Sequence, residues 1–148
     1  MDNDTRTLFF SFFNEIGIIA QLSRTALEAR LPKGLTLPHF SVVNHLIRVK
    51  DGQTPLALAN AFQVPKTTMT HTLGGLTVHG FVEIRPNPED GRSKTVWLTD
   101  AGRRFREDAI RSIDPDIEVF KSQYPEHKIR EIVPELAAIR ALLDAARD

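Results

Sequence analysis

Apolar residues recur at helical spacing over the first thirty positions of the chain. The spacing predicts one long helix that runs to about Arg30, before Pro32 and Gly34. Four phenylalanines between positions 9 and 13 make a stripe wider than one neighbouring helix would bury. The stripe indicates either contact with a second chain or an ordinary core within one chain, and the pattern leaves both open. The apolar positions of the helix are Leu8, Phe9, Phe12, Phe13, Ile16 and Ile19.

Two shorter helices are predicted next, and both begin with a threonine and a proline. Thr36 precedes an apolar run with Pro38 in its first turn, and Thr54 is followed directly by Pro55. A threonine hydroxyl caps the free amides at a helix start, and a proline there lacks only an N–H that would be unpaired anyway. The second of these helices is expected to end just before Pro65, because the residue before a proline disfavours helical geometry.

The helix that Pro65 opens has two very different faces. Met69, Leu73 and Leu76 lie within about 60° of one another, which defines the side that packs inward. The opposite side has almost no charge and includes two adjacent glycines, each of which costs about 1 kcal/mol relative to alanine. Such a face suits the major groove of DNA, where threonine and histidine side chains contact base edges. The alternative is a weak helix surface without this role. The outward positions are Thr67, His71, Gly74 and Val78, flanked by Thr68, Thr70 and Gly75.

Two strand-like runs follow Gly80, which is placed to end this helix. A turn with Asp90 and Gly91 separates them, as in a β-hairpin. Helix, turn, helix and hairpin in this order predict a winged helix-turn-helix, so double-stranded DNA is the leading partner. Arg92 and Lys94 are placed to reach a minor groove or flanking phosphates, whereas Asp90 is expected to shape the turn. A solvated loop charge is the alternative for Arg92.

Prolines interrupt the helices predicted for the rest of the chain. Thr99 caps a helix expected to run to Phe120 with an interruption or kink at Pro115, and a last helix begins at Pro125. Pro134 is expected to bend or divide that last helix. Three arginines near the start of the first of these helices are candidates for phosphate contact, with solvation as the alternative. They are Arg103, Arg104 and Arg106.

Composition narrows the remaining classes of function. The 148 residues include 19 basic and 19 acidic side chains and no cysteine, which excludes disulfides and catalytic thiols. Net charge is +1 over positions 1–53, +3 over 54–106 and −4 over 107–148, so positive charge coincides with the predicted DNA module. We expect no enzyme, because the sequence has no phosphate-binding glycine loop or nucleophile elbow. We also expect no metal or other cofactor, because the five histidines lack a metal-ligand spacing. Neither a leader nor a membrane-spanning apolar run is visible, so we expect a cytoplasmic protein.

With these elements in place, the chain resembles the MarR family of transcriptional regulators. The resemblance implies a mainly α (α+β) fold, a winged helix-turn-helix with long N- and C-terminal helices that form a dimerisation region. It implies one domain over residues 1–148, with a DNA-binding part at 34–106 and helical dimerisation parts at 1–33 and 107–148. The matching stretches are the ten residues from Gly34 to Val43, Leu58 with Ala59, the run from Val64 to Val82, and Asp90 to Lys94 with Val96, Leu98, Thr99 and Gly102.

The resemblance also implies a function. We expect a sequence-specific repressor that binds a pseudo-palindromic operator as a homodimer and is released by a small aromatic or phenolic effector. The expected DNA contacts are Pro65, Lys66, Thr67, Thr68, Thr70, His71, Arg92 and Lys94, with Asp90 and Gly91 shaping the wing. The expected effector cleft is lined by Phe9, Phe13, Ile16, His39 and Val43.

The chain departs from the family pattern at three places, and these departures affect the expected DNA target but not the expected fold. Pro65 stands where the family usually has a capping serine or threonine, His71 where it often has arginine, and Gly74 with Gly75 where it has a charged pair. The family's target sequence therefore does not transfer to this chain. A protein-interaction module that has lost DNA binding is the alternative from another class, favoured by the zero net charge and disfavoured by Lys66, Arg92 and Lys94.

Overall fold

A computed structural model describes residues 1–147 of the chain. Within them, seven helices and two strands follow in chain order, and they group into two compact units, Met1–Ser112 and the segment from Ile113 onward. The first unit holds α1 to α5 and the hairpin, and the second holds α6 and α7. The bounds are α1 (Asn3–Arg30), α2 (Leu37–Arg48), α3 (Pro55–Phe62), α4 (Lys66–Val78), β1 (Val82–Pro86), β2 (Lys94–Leu98), α5 (Asp100–Ser112), α6 (Asp114–Gln123) and α7 (Glu126–Ala145).

The long first helix is confirmed, but none of its residues is buried. The Asp2 carboxylate caps it by accepting the Thr5 amide at 2.7 Å, which lowers the pKa of that carboxyl. Phe9 and Phe10 are 59% and 69% exposed. Within one chain, therefore, the aromatic stripe does not form a core.

The expected caps of the next two helices are present. At α3 the Thr54 hydroxyl accepts the Ala57 amide at 3.1 Å, and Pro55 occupies the first turn. At α2 the His39 ring Nδ1 accepts the Thr36 amide at 2.9 Å. The Glu28 carboxylate of α1 adds a further cap by accepting the Leu37 amide at 3.0 Å, which joins α1 to the start of α2.

The turn between α3 and α4 depends on one residue with left-handed backbone geometry. Gln63 has φ 53° and ends α3, after which Pro65 precedes α4 with no helical bond to lose. At the other end of α4, Gly80 has φ 74° and donates to the Thr77 carbonyl, while the Phe81 amide donates to the Leu76 carbonyl. This pair of bonds is the Schellman motif, so the expected helix end at Gly80 is confirmed.

The hairpin, here called the wing (residues 82–98), pairs its strands antiparallel from Val82 opposite Leu98 to Pro86 opposite Lys94. Its base is fixed to α5 by a close approach. A Cβ built on Gly102 would overlap the Phe81 carbonyl oxygen, so only glycine fits at that position. The core of the first unit lies between α2, α3, α4 and the wing. Its completely buried side chains are Val42, Val43, Leu46, Leu58, Leu76 and Val96.

The helices after the wing differ in part from expectation. The interruption expected near Pro115 is confirmed, because α5 ends at Ser112 and Pro115 lies in the first turn of α6. Of the bend or division expected at Pro134, the division is wrong, since α7 continues through that proline, and the bend stays a prediction. Among residues 1–147, no helix combines the length and apolarity needed to cross a bilayer.

Candidate nucleic-acid interface

Helix α4, here called the recognition helix, turns an uncharged face toward solvent. Met69, Leu73 and Leu76 are buried beneath it, as the spacing predicts. The Thr70 hydroxyl donates to the Lys66 carbonyl at 2.9 Å. The side-chain hydroxyls of Thr67 and Thr68 form no hydrogen bond within residues 1–147, so they are free to bond to a ligand. The exposed positions include Pro65, Lys66, Thr67, Thr68, Thr70, His71, Gly74 and Val78.

Gly75 does not belong to this outward face in the way the pattern indicated. It is half-buried, and a Cβ built on it would lie 2.5 Å from Nε2 of His39 on α2. Gly74 has open space around it, so the two adjacent glycines have different environments. The reason for glycine at position 75 is therefore packing against α2 and not exposure to a groove.

The wing tip is shaped by hydrogen bonds of its polar side chains. The Asp90 carboxylate accepts the Arg92 amide at 2.9 Å, and Asn87 Nδ2 donates to the Ser93 hydroxyl at 2.8 Å. Asp90 thus takes the turn-forming position expected for it. Gly91 does not have a positive φ, so the turn does not require its conformational freedom.

The cations of the candidate interface differ from two arginines of α5 in their ion pairs. Arg103 lies 3.8 Å from Asp51, and Arg106 bonds to Asn44 at 3.3 Å and to Glu107 at 2.8 Å. Two of the three arginines considered for phosphate contact are therefore engaged within the chain. By contrast, the side chains of Lys66, Arg92 and Lys94 are exposed and form no ion pair within residues 1–147.

Asp51 is a structurally important residue that the sequence pattern did not reveal. Its carboxylate accepts the Gly52 amide at 2.9 Å and the Leu98 amide at 3.0 Å. Leu98 ends β2, so this carboxylate joins the loop after α2 to the base of the wing. The two residues are far apart in the sequence, and no local motif predicts their contact.

The residues expected to line an effector cleft differ in exposure within one chain. Val43 is completely buried in the core, and His39 packs on Gly75. Phe9 and Phe13 are exposed on α1. Val43 and His39 thus contact the interior of the DNA module within one chain, and the effector cleft stays a prediction.

The histidines form no metal site within the described part of the chain, where no group of three or more potential ligands converges. Three of them are nevertheless close to one another. His71 and His79 lie one turn before and one turn after Gly75 on the recognition helix and its cap, and both lower the pKa of His39, although its burial is the larger cause. The His79 ring is also 2.9 Å from the Gly75 carbonyl.

These features define a winged helix-turn-helix protein. It presents a hydroxyl-bearing helix face and, on the wing, the cations Arg92 and Lys94 without an ion pair among the described residues. Residues 33–93 match a sequence profile described as MarR family. The chain belongs to the MarR family of winged helix-turn-helix transcriptional regulators. The family and the relatives below are regulators rather than enzymes, in agreement with the expectation from the sequence.

Two curated relatives carry regulator names. The chain is 29% identical over 102 residues to the transcriptional activatory protein BadR of Rhodopseudomonas palustris, and the match covers 68% of the chain and 57% of BadR. It is 31% identical over 104 residues to the HTH-type transcriptional repressor YetL of Bacillus subtilis, covering 70% of the chain and 60% of YetL. The matched part thus spans about three fifths of each relative.

Solved structures show the same fold. The transcriptional regulator BldR of Sulfolobus solfataricus superposes with a TM-score of 0.74 at 21% identity, over 95% of this chain and 99% of BldR. A mutant of S. aureus MepR bound to an oligodeoxyribonucleotide superposes at 0.61 and 19% identity, over 89% and 97%. CouR of Rhodococcus jostii, bound to p-coumaroyl-CoA, superposes at 0.63 and 22% identity, over 84% and 87%.

Proposed function

We propose that this protein is a repressor that binds a pseudo-palindromic operator as a homodimer and is released by a small-molecule effector. Two recognition helices enter successive major grooves, and the two wings reach the flanking minor grooves. The observation that carries the proposal is the exposed face of α4, where hydroxyls and an imidazole replace the charges usual on a solvated helix.

The groups on this face match the chemistry of base edges. Thr67 and Thr68 offer free hydroxyls and methyl groups, and the His71 ring both donates and accepts hydrogen bonds. Arg92 supplies the positive charge that a narrow minor groove or a phosphate attracts. MepR, which shares the fold, has been solved with an oligodeoxyribonucleotide. We therefore assign sequence readout to α4 and backbone attraction to the wing.

A homodimer is supported by apolar surface that one chain leaves uncovered. On α1, Leu8, Phe10 and Ile19 are each more than 60% exposed. On α7, Leu142 is 72% exposed and Leu143 is 54% exposed. Apolar surface of this kind on either helix marks an interface rather than a solvated face. A second copy of the chain covers it in our proposal, since paired operator half-sites require two recognition helices.

An effector site is supported by a cavity that touches the recognition helix. It has a volume of about 250 Å³ and lies between α1, the start of α2, the end of α3 and α4. Phe62 and Met69 contribute apolar walls, Thr68 contributes a hydroxyl, and Arg24 contributes a cation with no ion pair within residues 1–147. A small aromatic carboxylate fits this combination of charge and surface. Its binding would displace α4, because Thr68 and Met69 belong to that helix.

DNA binding is tested by fluorescence anisotropy with labelled duplexes at several salt concentrations. We expect binding to random duplex at low salt, with log affinity falling linearly with log salt by about 0.9 per phosphate contact. Arg92→Ala should weaken binding to specific and random duplex alike and reduce the slope by up to about 1.8 per dimer, since each protomer loses one contact. Thr67→Ala and His71→Ala should mainly change sequence preference.

Two outcomes would contradict this division of roles. Equal losses on every duplex for all three variants would remove the separation between readout and attraction. Absence of binding to any duplex at low salt would favour the protein-interaction module instead. The effector is tested with benzoate as the probe: it should release wild-type protein from DNA and have at least tenfold less effect on Arg24→Gln. Equal release of both proteins would place the effector elsewhere.

A further inference from the structure

The ring of His39 lies between two elements of the DNA module. On one side, its Nδ1 accepts the Thr36 amide at 2.9 Å at the start of α2. An atom that accepts an amide hydrogen carries no proton of its own, so the neutral ring bears its hydrogen on Nε2. On the other side, Nε2 faces the backbone of the recognition helix at Gly75. The same ring thus caps one helix and touches the next.

The contact at Gly75 leaves no room for a side chain. A Cβ at this position would lie 2.5 Å from Nε2, well inside van der Waals contact. The methyl group of alanine would clash with the ring. Relieving the clash requires either that the ring loses its hydrogen bond to Thr36 or that α4 moves away from α2. Gly74, one position earlier on the same helix, has nothing within 4 Å of the place that a methyl group would take, and it offers a matched comparison.

Two neighbouring histidines influence the charge state of the His39 ring. His71 and His79 approach His39 from the recognition helix and its cap, and no acidic group offsets them among the groups that influence it. Burial and these two histidines lower the pKa of His39, which keeps the ring neutral at pH 7. A proton on Nδ1 would abolish its bond from the Thr36 amide, and Nδ1 would donate instead to the Thr36 hydroxyl, which lies 3.0 Å from it.

We propose that His39 is a positioning residue for DNA readout. Its neutral ring, hydrogen-bonded to Thr36, is a spacer: it packs against Gly75 and sets the distance between α2 and the recognition helix. The inference rests on the proposed function, in which α4 reads DNA. It adds that the distance between α2 and α4, and hence the depth at which Thr67 and His71 enter the groove, depends on this one side chain.

The first test is a double-mutant cycle of DNA affinity at pH 7.5, with folding checked by circular dichroism. Gly75→Ala should weaken binding at least tenfold in the wild-type background. In a His39→Ala background the same change should have less than a threefold effect, because the methyl group then meets no ring. Equal losses in both backgrounds, or no loss in either, would overturn the proposal.

The second test uses pH and separates positioning from a merely structural role. In a His71→Gln background, which removes the imidazole of the candidate DNA contact, lowering the pH from 7.5 to 5.0 should weaken binding. Adding His39→Gln should flatten this profile, because the glutamine amide oxygen accepts the Thr36 amide without titrating. Parallel profiles of the two proteins would overturn the role of the neutral ring.

The third test does not depend on DNA. Gly74→Ala should raise Tm, as glycine to alanine does in an open helix position, whereas Gly75→Ala should lower it unless His39 is also alanine. If the wild-type protein binds no duplex but this Tm pattern holds, the DNA function fails while the spacer contact stands. If both alanine variants raise Tm equally, the spacer contact itself is refuted.

Discussion

Substitution of Asp51 tests how the base of the wing is attached, because the Asp51 carboxylate joins two segments that are far apart in the sequence. It accepts the amides of Gly52 and Leu98 at 2.9 and 3.0 Å and lies 3.8 Å from Arg103. Asp51→Ala removes all three interactions. Asp51→Asn keeps one acceptor oxygen for the amides and loses only the negative charge.

The expected cost follows from these three contacts. The Leu98 amide loses a charged acceptor, worth about 1.5–3 kcal/mol. The Gly52 amide also donates to the Val96 carbonyl at 3.0 Å, so it keeps a partner. The Arg103 side chain is 54% exposed, and a pair of this kind contributes about 0–1 kcal/mol. We therefore expect Asp51→Ala to cost about 2–3 kcal/mol of unfolding free energy and Asp51→Asn about 1 kcal/mol or less.

Urea unfolding followed by circular dichroism at one fixed protein concentration measures both costs. The DNA affinity of each folded variant, measured in parallel, reports on the wing. Asp51→Ala should bind random duplex more weakly than Asp51→Asn, because the base of the wing loses its attachment. Two results would refute this role of Asp51: an unfolding free energy of Asp51→Ala within about 0.5 kcal/mol of the wild-type value, or an asparagine variant as unstable as the alanine variant.

Three further predictions concern packing, assembly and pH. Gly102→Ala should lose at least about 2 kcal/mol in urea unfolding, because its methyl group would overlap the Phe81 carbonyl oxygen; a variant as stable as wild type would contradict the close approach. Phe9→Glu, on the exposed face of α1, should shift the protein from dimer to monomer in size-exclusion chromatography with light scattering, and an unchanged mass would exclude this face from the interface. The pKa of His39 lies below 6.5 in the folded chain, mainly because of burial, so the unfolded chain takes up the proton first. This contribution to stability should be full above pH 6.5, fall as the pH drops from there toward the folded pKa, and level off below it. Tm measured from pH 7.5 to 5.0 should fall less in His39→Gln; equal falls would contradict the assignment.

Local chemistry accounts for what the sequence predicts correctly. The caps at Thr54 and Gly80 and the inward face of α4 each depend on residues within a few positions of one another. The wing strands follow one another directly along the chain, joined by a short turn. Periodicity and turn preferences describe such short-range effects well. The outward face of α4 follows from the same periodicity, so most of the candidate DNA contacts could be placed before the fold was known.

Long-range contacts account for what the sequence did not predict. Gly75 looked like a groove-facing residue because only its own helix was considered, whereas its neighbour His39 belongs to α2. Arg106 looked free because its partner Asn44 also lies on α2. A helical period also does not reveal whether an apolar residue points to the core or to a cavity, and Val43 is completely buried in the core.

The most direct test of the account is selection of preferred sequences from a pool of random duplexes by the purified protein. Wild-type protein should enrich a pseudo-palindrome with half-sites about 10 base pairs apart, as expected for two recognition helices in successive major grooves. Thr67→Ala should enrich an altered half-site, whereas Arg92→Ala should enrich the wild-type half-site with lower yield. No enrichment by the wild-type protein, or one identical motif from all three proteins, would contradict the assignment of sequence readout to the recognition helix.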